Sequence, residues 1–373
     1  MKGLGALTGR FVWHPEARLF DRFGEVCPVM AGEAALADRP AGRALALALA
    51  RGDQFRIGAE AVPVAAEPGW FEALTGGSTG APKRVARRVA SWQASFAVNA
   101  GLFGIGPGAR VAVPGRLCHS LPLYAALEGM HLGAKVHVLD GMRADRAGRL
   151  LAGMDVVYAT PTVMRAMLGV PWPGLRHVVL GGERLDAGLR AAIAQAAPQA
   201  QITEFYGAAE TSFITLTDEG TPEGSVGRAY PGVEIALRDG VVWVRSPYLA
   251  AGADWVTVGE MGRLERGYLF LQGRAGRMVT VAGQNVFLDE IEHWLASVPG
   301  VARAAVVAVP DAARGHVLMA AVKGDAAQEA AILAAARARF GAMLAPRRLQ
   351  WLTDWPVLPS GKTDVGAVQR GLR

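Results

Sequence analysis

From residue 74 onward the chain alternates between two textures. Short β-branched or apolar runs occur at residues 111–113, 135–139, 156–159, 177–180 and 202–205. Apolar positions recur with helical spacing in 91–103, 121–131, 161–168 and 186–196. Strand–helix alternation of this kind predicts an α/β fold, a mostly parallel sheet with helices on its faces. After Tyr206 the pattern turns antiparallel. Runs at 233–237 and 241–245 flank Arg238-Asp239-Gly240, a hairpin turn by its Asp-Gly pair, and runs at 262–265 and 268–272 flank a second tight turn at Arg266-Gly267.

A third texture begins near Gly273. Residues 289–296 read as a helix, 304–309 and 317–322 as strands, and 326–343 as a long Ala-rich helix, together a small α+β unit. The expected boundary is 273–277, giving a large domain over 1–273 and a mobile C-terminal domain over 274–373. Residues 1–70 are broken by Pro15, Pro28, Pro40 and Pro68, and only 41–51 reads as a helix there. No internal repeat is visible.

Composition narrows the classes. Of 373 residues, 51% are hydrophobic and 19% charged, which excludes a disordered chain. The net charge of +6 is mild for this length, and the arginines cluster only at Arg84, Arg87 and Arg88 and at Arg347 and Arg348. Without a basic stripe interleaved with aromatics, no nucleic-acid partner is expected. Cys27 and Cys118 are too few for a disulfide framework or a zinc cage and read as buried thiols. The N-terminus lacks a signal-peptide pattern and the longest apolar run, 44–50, is too short to span a bilayer, so a cytoplasmic chain with no membrane partner is expected. Lysine occurs only at positions 2, 83, 135, 323 and 362, arginine serving elsewhere. A lysine within a glycine-rich motif is then expected to be there for its compact ammonium.

Four segments carry candidate chemistry. In Thr75-Gly76-Gly77-Ser78-Thr79-Gly80-Ala81-Pro82-Lys83, glycines admit a ligand to the backbone N–H groups, hydroxyls add donors and Lys83 adds charge. The same stretch reads equally as a surface loop of turn residues, and it is not a Walker loop, since Pro82 precedes the lysine. Glu204-Phe205-Tyr206-Gly207-Ala208-Ala209-Glu210-Thr211 lies beyond a predicted parallel strand, where open sheets place ligands. Tyr206 could stack on a purine and Glu210 could bind a magnesium ion riding on phosphate. The third segment runs from Gly273 through Arg274, Gly276 and Arg277 to Val286, and the fourth is Leu358-Pro359-Ser360-Gly361-Lys362-Thr363-Asp364.

In this order the four segments resemble the adenylate-forming superfamily of acyl-CoA synthetases, aryl-CoA ligases, luciferases and peptide-synthetase adenylation domains, over residues 70–373. The first is similar to that family's phosphate loop, the second to its Y-G-x-T-E, the third to its hinge and the fourth to its C-terminal G-K loop. Between them, Gly181-Gly182-Glu183-Arg184-Leu185 resembles the turn beside the adenine, residues 224–234 its G-x-x-G-x-P-x-P-G segment, and Val258-Gly259-Glu260 its T-G-D.

The resemblance implies activation of a carboxylic acid by ATP with release of pyrophosphate, then acyl transfer to a thiol. It implies that Thr75, Gly77, Ser78, Thr79, Gly80 and Lys83 hold the β- and γ-phosphates, that Tyr206 stacks on adenine with Gly181, Gly182 and Gly207 alongside, and that Glu210 helps hold Mg²⁺. Glu260 would bond the ribose, Arg274 the ribose or phosphate, and Lys362 would bridge the carboxylate and the α-phosphate. Lys362, Lys83 and Glu210 are thus the implied catalytic groups.

Substrate contacts are expected from 117–121, 156–160, 181–184 and 207–213, with His119, Tyr158 and Phe213 setting the shape for an aryl, arylacrylic or medium-chain fatty acid. Only eleven residues follow Lys362, so the thiol is expected to be CoA, or else a separate carrier protein.

Several positions depart from the family pattern. Ala209 replaces its Thr, leaving Thr211 or backbone N–H groups to compensate, Glu260 replaces its Asp, and Gly276 and Arg277 occupy the hinge position. The phosphate loop also starts early, so the usual N-terminal region is shortened, leaving the acyl pocket open or completed by a partner subunit as in a homodimer. A catalytically weak nucleotide-binding regulator is the alternative from a different class.

Overall fold

The computed structural model describes residues 11, 13–27, 42, 45–46, 69–74, 84–250, 252, 254–312, 314–357 and 363–372. Most of the helix expected over 41–51 lies outside them; Gly42, Leu45 and Ala46 are helical. In chain order the elements open with β1 (Arg18–Phe20), β2 (Trp70–Leu74), β3 (Arg84–Arg88), α1 (Val89–Phe103), β4 (Arg110–Val113) and α2 (Ser120–Leu132). They continue with β5 (Lys135–Val138), α3 (Ala144–Leu151), β6 (Val156–Ala159), α4 (Pro161–Met167), β7 (His177–Gly181), α5 (Ala187–Ala196) and β8 (Gln201–Ala208). Five of these strands, with β1, form the parallel half of one sheet, in the order β1-β5-β4-β6-β7-β8.

Alternation along each strand decides which core a side chain enters. Val111, Val113, Val156, Tyr158 and Val179 join the core under α1 and α2. Their neighbours Ala112, Val157, Ala159, Val178 and Leu180 join the core under α3, α4 and α5. Successive strand residues face opposite sides, so a strand covered by helices on both faces is apolar throughout. Helix starts are set locally: the Thr160 hydroxyl accepts from Val163 N ahead of Pro161 at the first position of α4, and Asp186 accepts from Leu189 N ahead of α5.

The sheet then turns antiparallel through β9 (Ser212–Leu216), β10 (Arg228–Ala229), β11 (Glu234–Arg238), β12 (Val241–Arg245), β13 (Glu260–Glu265) and β14 (Tyr268–Arg274). Both expected hairpin turns form. Asp239 and Gly240 have φ of 51° and 77°, and Arg266 and Gly267 have 52° and 82°, the left-handed pair that a two-residue turn matching strand twist requires.

After a 3₁₀ turn at Ala275–Arg277 come β15 (Met278–Val281), β16 (Gln284–Phe287), α6 (Leu288–Ser297), β17 (Val301–Asp311), β18 (Gly315–Gly324), α7 (Glu329–Leu344), β19 (Leu349–Trp351) and α8 (Val365–Gly371). The β17-β18-β19 sheet packs Val306, Leu318, Ala320 and Val322 against Ile291, Leu295 and Ile332 of α6 and α7. Its other face packs Ala305, Val307, Met319 and Ala321 against Trp355, Val368 and Leu372.

Three features depart from the sequence expectation. The short amphipathic α3 fills the gap between β5 and β6. β8 runs three residues past its expected end and folds onto β9. The glycine-rich segment is flanked by an antiparallel pair, β2 with β3, in register up to Leu74 and Arg84.

Candidate functional site

The parallel strands end together at Val113, Val138, Ala159 and Gly181, with the far half of β8 beside them. The segments leaving those ends are the ones singled out above. His119 sits half-buried at the N-terminal cap of α2, Gly181 and Gly182 begin the turn after β7, and Tyr206 and Gly207 lie near the end of β8. Crevices outside the carboxyl ends of strands are where open α/β sheets hold ligands.

Two glycines are dictated by close approach. A Cβ at Gly181 would come within 2.2 Å of the Phe205 ring, and one at Gly207 within 2.0 Å of Ser212 O. Neither position accepts a side chain without moving backbone or a packed ring.

Tyr206, Glu260 and Arg274 are brought together from far-apart segments. Glu260 and Arg274 are partners across β13 and β14, with Nε 3.8 Å from Oε1. The Tyr206 hydroxyl and Glu260 Oε2 are buried, and each lacks a hydrogen-bond partner. Burial, then the Glu260 charge and the approach of its carboxylate to the hydroxyl, push the Tyr206 phenol far above its ordinary value. Buried polar atoms in folded proteins are nearly always paired, so two orphans at one place mark where a polar ligand fits.

Glu210 is exposed on the turn after β8, and its carbonyl accepts from Ala250 N at 2.9 Å. Among the described residues no group of three His, Cys, Asp or Glu side chains could hold a metal ion. A lone carboxylate suits Mg²⁺ that shares its remaining ligands with phosphate oxygens and water. Behind this turn lies Arg87, fully buried on β3. Burial pulls its guanidinium down to about 9, with the Glu210 charge acting against that shift.

Other expectations are redirected. Tyr158 is fully buried and donates to Glu128 Oε2 at 2.6 Å, so its hydroxyl belongs to the core. Phe213 is 3% exposed, stacked on Tyr230 at 5.0 Å and edge-on to Tyr124 at 5.2 Å. Thr211 does not stand in for the missing hydroxyl at Ala209: it is fully buried and accepts from Ala208 N at 3.1 Å within its own turn. Arg277 is locked onto the small unit by Asp289, Glu292 and the Val306 carbonyl. Thr75, Gly77, Ser78, Thr79, Gly80, Lys83 and Lys362 lie outside the described residues.

Sequence reasoning passed over two buried ionisable groups, Arg87 and Glu128. A lone carboxylate in the otherwise apolar run 121–131 was the available signal for Glu128. It also passed over a shallow cleft in the small unit, about 90 Å³, walled by Arg314, Arg337 and Arg347 over Leu318, Met343 and Pro346. The three arginines are exposed and make no ion pair with a described residue. The Arg314 carbonyl accepts from Ala282 N at 2.9 Å, which places the cleft beside the β15–β16 hairpin tip.

Comparison with known proteins gives this geometry its context. The family profile described as AMP-binding enzyme matches residues 47–252, and that of the AMP-binding enzyme C-terminal domain matches 290–362. The chain belongs to the AMP-binding, adenylate-forming enzymes. An uncharacterized acyl–CoA ligase, YhfT of Bacillus subtilis (strain 168), is 29% identical over 330 residues, covering 81% of this chain and 68% of that one. The 3-hydroxybenzoate–CoA ligase of Aromatoleum sp. (strain CIB) is 27% identical over 346 residues, covering 80% of this chain and 66% of that one. Among solved structures, the amide bond synthetase McbA from Marinactinospora thermotolerans matches with a TM-score of 0.71 and 27% identity, over 81% of this chain and 69% of that one.

This adenylate-forming chain therefore spans about two-thirds of the length of these relatives. Its reaction class is that of the AMP-forming acid–thiol ligases, which use ATP, Mg²⁺ and CoA. The orphaned Tyr206 and Glu260 oxygens beside Arg274 fit a nucleotide's hydroxyls and charge. No helix among the described residues is long and apolar enough to cross a membrane.

Proposed function

We propose that this adenylate-forming ligase joins a compact aryl or arylacrylic acid to CoA. The observation that supports CoA as the thiol is the arginine-walled cleft beside the β15–β16 hairpin tip. Guanidinium groups bind phosphate through paired N–H donors, and CoA is a thiol carrying phosphates, so three exposed arginines over an apolar floor match its nucleotide end. The aryl acid is supported by the likeness to the 3-hydroxybenzoate–CoA ligase.

In this reading Tyr206, with Gly181, Gly182 and Gly207, holds the adenine. Glu260 and Arg274 take the ribose, Glu210 takes Mg²⁺, and the glycine-rich segment with Lys83 takes the outer phosphates. Lys362 bridges the attacking carboxylate and the α-phosphate, where two anions meet and fixed positive charge lowers the barrier most. The two domains meet at 273–277. Since the Arg277 side chain and the Arg274 N–H both bond Asp289 of the small unit, the pivot lies at or before Gly273. A need for ATP and CoA supports a cytoplasmic chain.

The test is acid-dependent pyrophosphate release across a panel of carboxylic acids, with CoA, dephospho-CoA or a phosphopantetheinyl carrier protein as acceptor. The expected result is turnover of aryl acids with CoA. Neutralising Arg314, Arg337 and Arg347 should raise the KM for CoA about tenfold while leaving adenylate formation intact. Turnover with the carrier alone would overturn the acceptor, and release that ignores every acid would support the regulatory alternative.

A further inference from the structure

Arg87 has no part in the reading above, and its surroundings are unusual. It is 0% exposed, yet among the described residues no carboxylate forms a salt bridge with it. Its guanidinium instead donates to four oxygens. Nη1 reaches the Ala209 carbonyl, and Nη2 reaches Tyr248 O at 2.5 Å, Ser212 Oγ at 3.2 Å and Ser91 Oγ at 3.3 Å. The Trp92 ring lies 5.3 Å away, and Nε has no partner.

Burying a charge without a paired counterion is costly, and an apolar residue of similar volume would pack with less penalty. Something must offset that cost, and the contacts show what Arg87 joins. It stands on the strand that leaves the glycine-rich segment, and it grips both sides of Glu210: Ala209 before it and Ser212 after it. A backbone link runs in parallel, since Arg88 N donates to Ala250 O and Ala250 N donates to Glu210 O. Ser212 holds a left-handed φ of 59°, a conformation that a non-glycine residue keeps only when its neighbours fix it.

We infer that Arg87 is a positioning residue that clamps the Glu210 turn to the strand leaving the glycine-rich segment, so that metal–nucleotide binding depends on a side chain that touches neither. This rests on the reading that Glu210 takes Mg²⁺. The clamp sets where the Glu210 turn, and with it the Glu210 carboxylate, sits relative to β3.

The experiment compares the wild type with Arg87→Lys, Arg87→Met and Ser212→Ala, each first shown by thermal melting to be folded. The readouts are the Mg²⁺ concentration for half-maximal acid-dependent pyrophosphate exchange and ATP binding in EDTA. Partners that orient a metal ligand typically shift metal affinity by 10–100-fold, so Arg87→Met should raise the Mg²⁺ midpoint at least about tenfold. Ser212→Ala should raise it about threefold, losing one of four contacts, and Arg87→Lys should fall between. ATP binding in EDTA should not change. Unmoved Mg²⁺ midpoints in the folded variants overturn the clamp, and if Arg87→Met does not fold, an unmoved midpoint in Ser212→Ala does so alone. Glu210→Ala separates the two claims: if it too leaves the midpoint unmoved, Glu210 is not the metal ligand, and the clamp falls with that reading.

Discussion

Two buried polar clusters in this molecule invite comparison, because one is closed and the other is not. Around Glu128 every group is matched. Tyr158 donates to Oε2 at 2.6 Å and Asn99 to Oε1 at 2.8 Å, Asn99 also donates to Tyr124 at 3.0 Å, and Tyr230 donates to Asn99 Oδ1 at 2.8 Å. Ser95 completes the set at 2.7 Å from the Tyr124 hydroxyl. Around Tyr206 the Tyr hydroxyl and one Glu260 oxygen are left with no partner. Both clusters join tyrosines to a carboxylate, so residue type does not tell them apart. A satisfied network fixes a core, while an unsatisfied one beside strand ends awaits a ligand.

The largest effect expected from this contrast lies on the ligand side. Lys362→Ala should lower acyl-adenylate formation by about 10²–10³ while leaving ATP binding intact, as for loss of one well-placed transition-state donor. An unchanged pyrophosphate-exchange rate would remove Lys362 from the chemistry.

Next comes the pH response of the closed network. Burial raises the Glu128 carboxyl from 4.5 to about 7, the hydrogen bonds from Tyr158 and Asn99 acting against that shift. Below pH 4.5 both folded and unfolded chains hold this proton. Above it the unfolded chain releases the proton first, so stability falls as pH rises to about 7 and then levels off. At about 1.4 kcal/mol per pH unit the loss is about 3 kcal/mol, and Glu128→Gln should abolish it in denaturant titrations at pH 5 and pH 8.

A paired substitution sharpens the comparison further. Tyr158→Phe leaves Glu128 Oε2 without its donor and should cost about 1–3 kcal/mol. Tyr206→Phe removes a hydroxyl that makes no full hydrogen bond and only approaches the Glu260 carboxylate, and should cost clearly less, under about 1 kcal/mol. Equal losses in chemical denaturation would show that the two clusters are alike after all.

Much of the architecture was legible from pattern. The four helices and five strands read between residues 91 and 205 all form, because each is long enough for its periodicity to identify it. What escaped was short or cooperative. β2 and β3 are five residues each, and only their pairing across the glycine-rich segment makes them strands. α3 has eight residues. In the site, the order of motifs singled out Tyr206, Glu260 and Arg274 while they were still 54 and 14 residues apart along the chain. The same reasoning placed Tyr158 and Phe213 at a substrate wall without showing that both are sealed in the core. Arg87 read only as one of a cluster of arginines and is fully buried.

The sequence by itself determined the local chemistry: alternation that splits side chains between two cores, caps at Thr160 and Asp186, left-handed turns at Gly240 and Gly267, and glycines where backbone meets backbone. These rest on interactions spanning a few residues, which any reading of the chain contains. Only the tertiary structure decided which ionisable groups are matched and which are left open. The partners of Glu128 come from α1 and β6, and two of those of Arg87 from a turn more than a hundred residues away. Burial and pairing of charge are properties of the assembled surfaces, and no spacing along the chain encodes them singly.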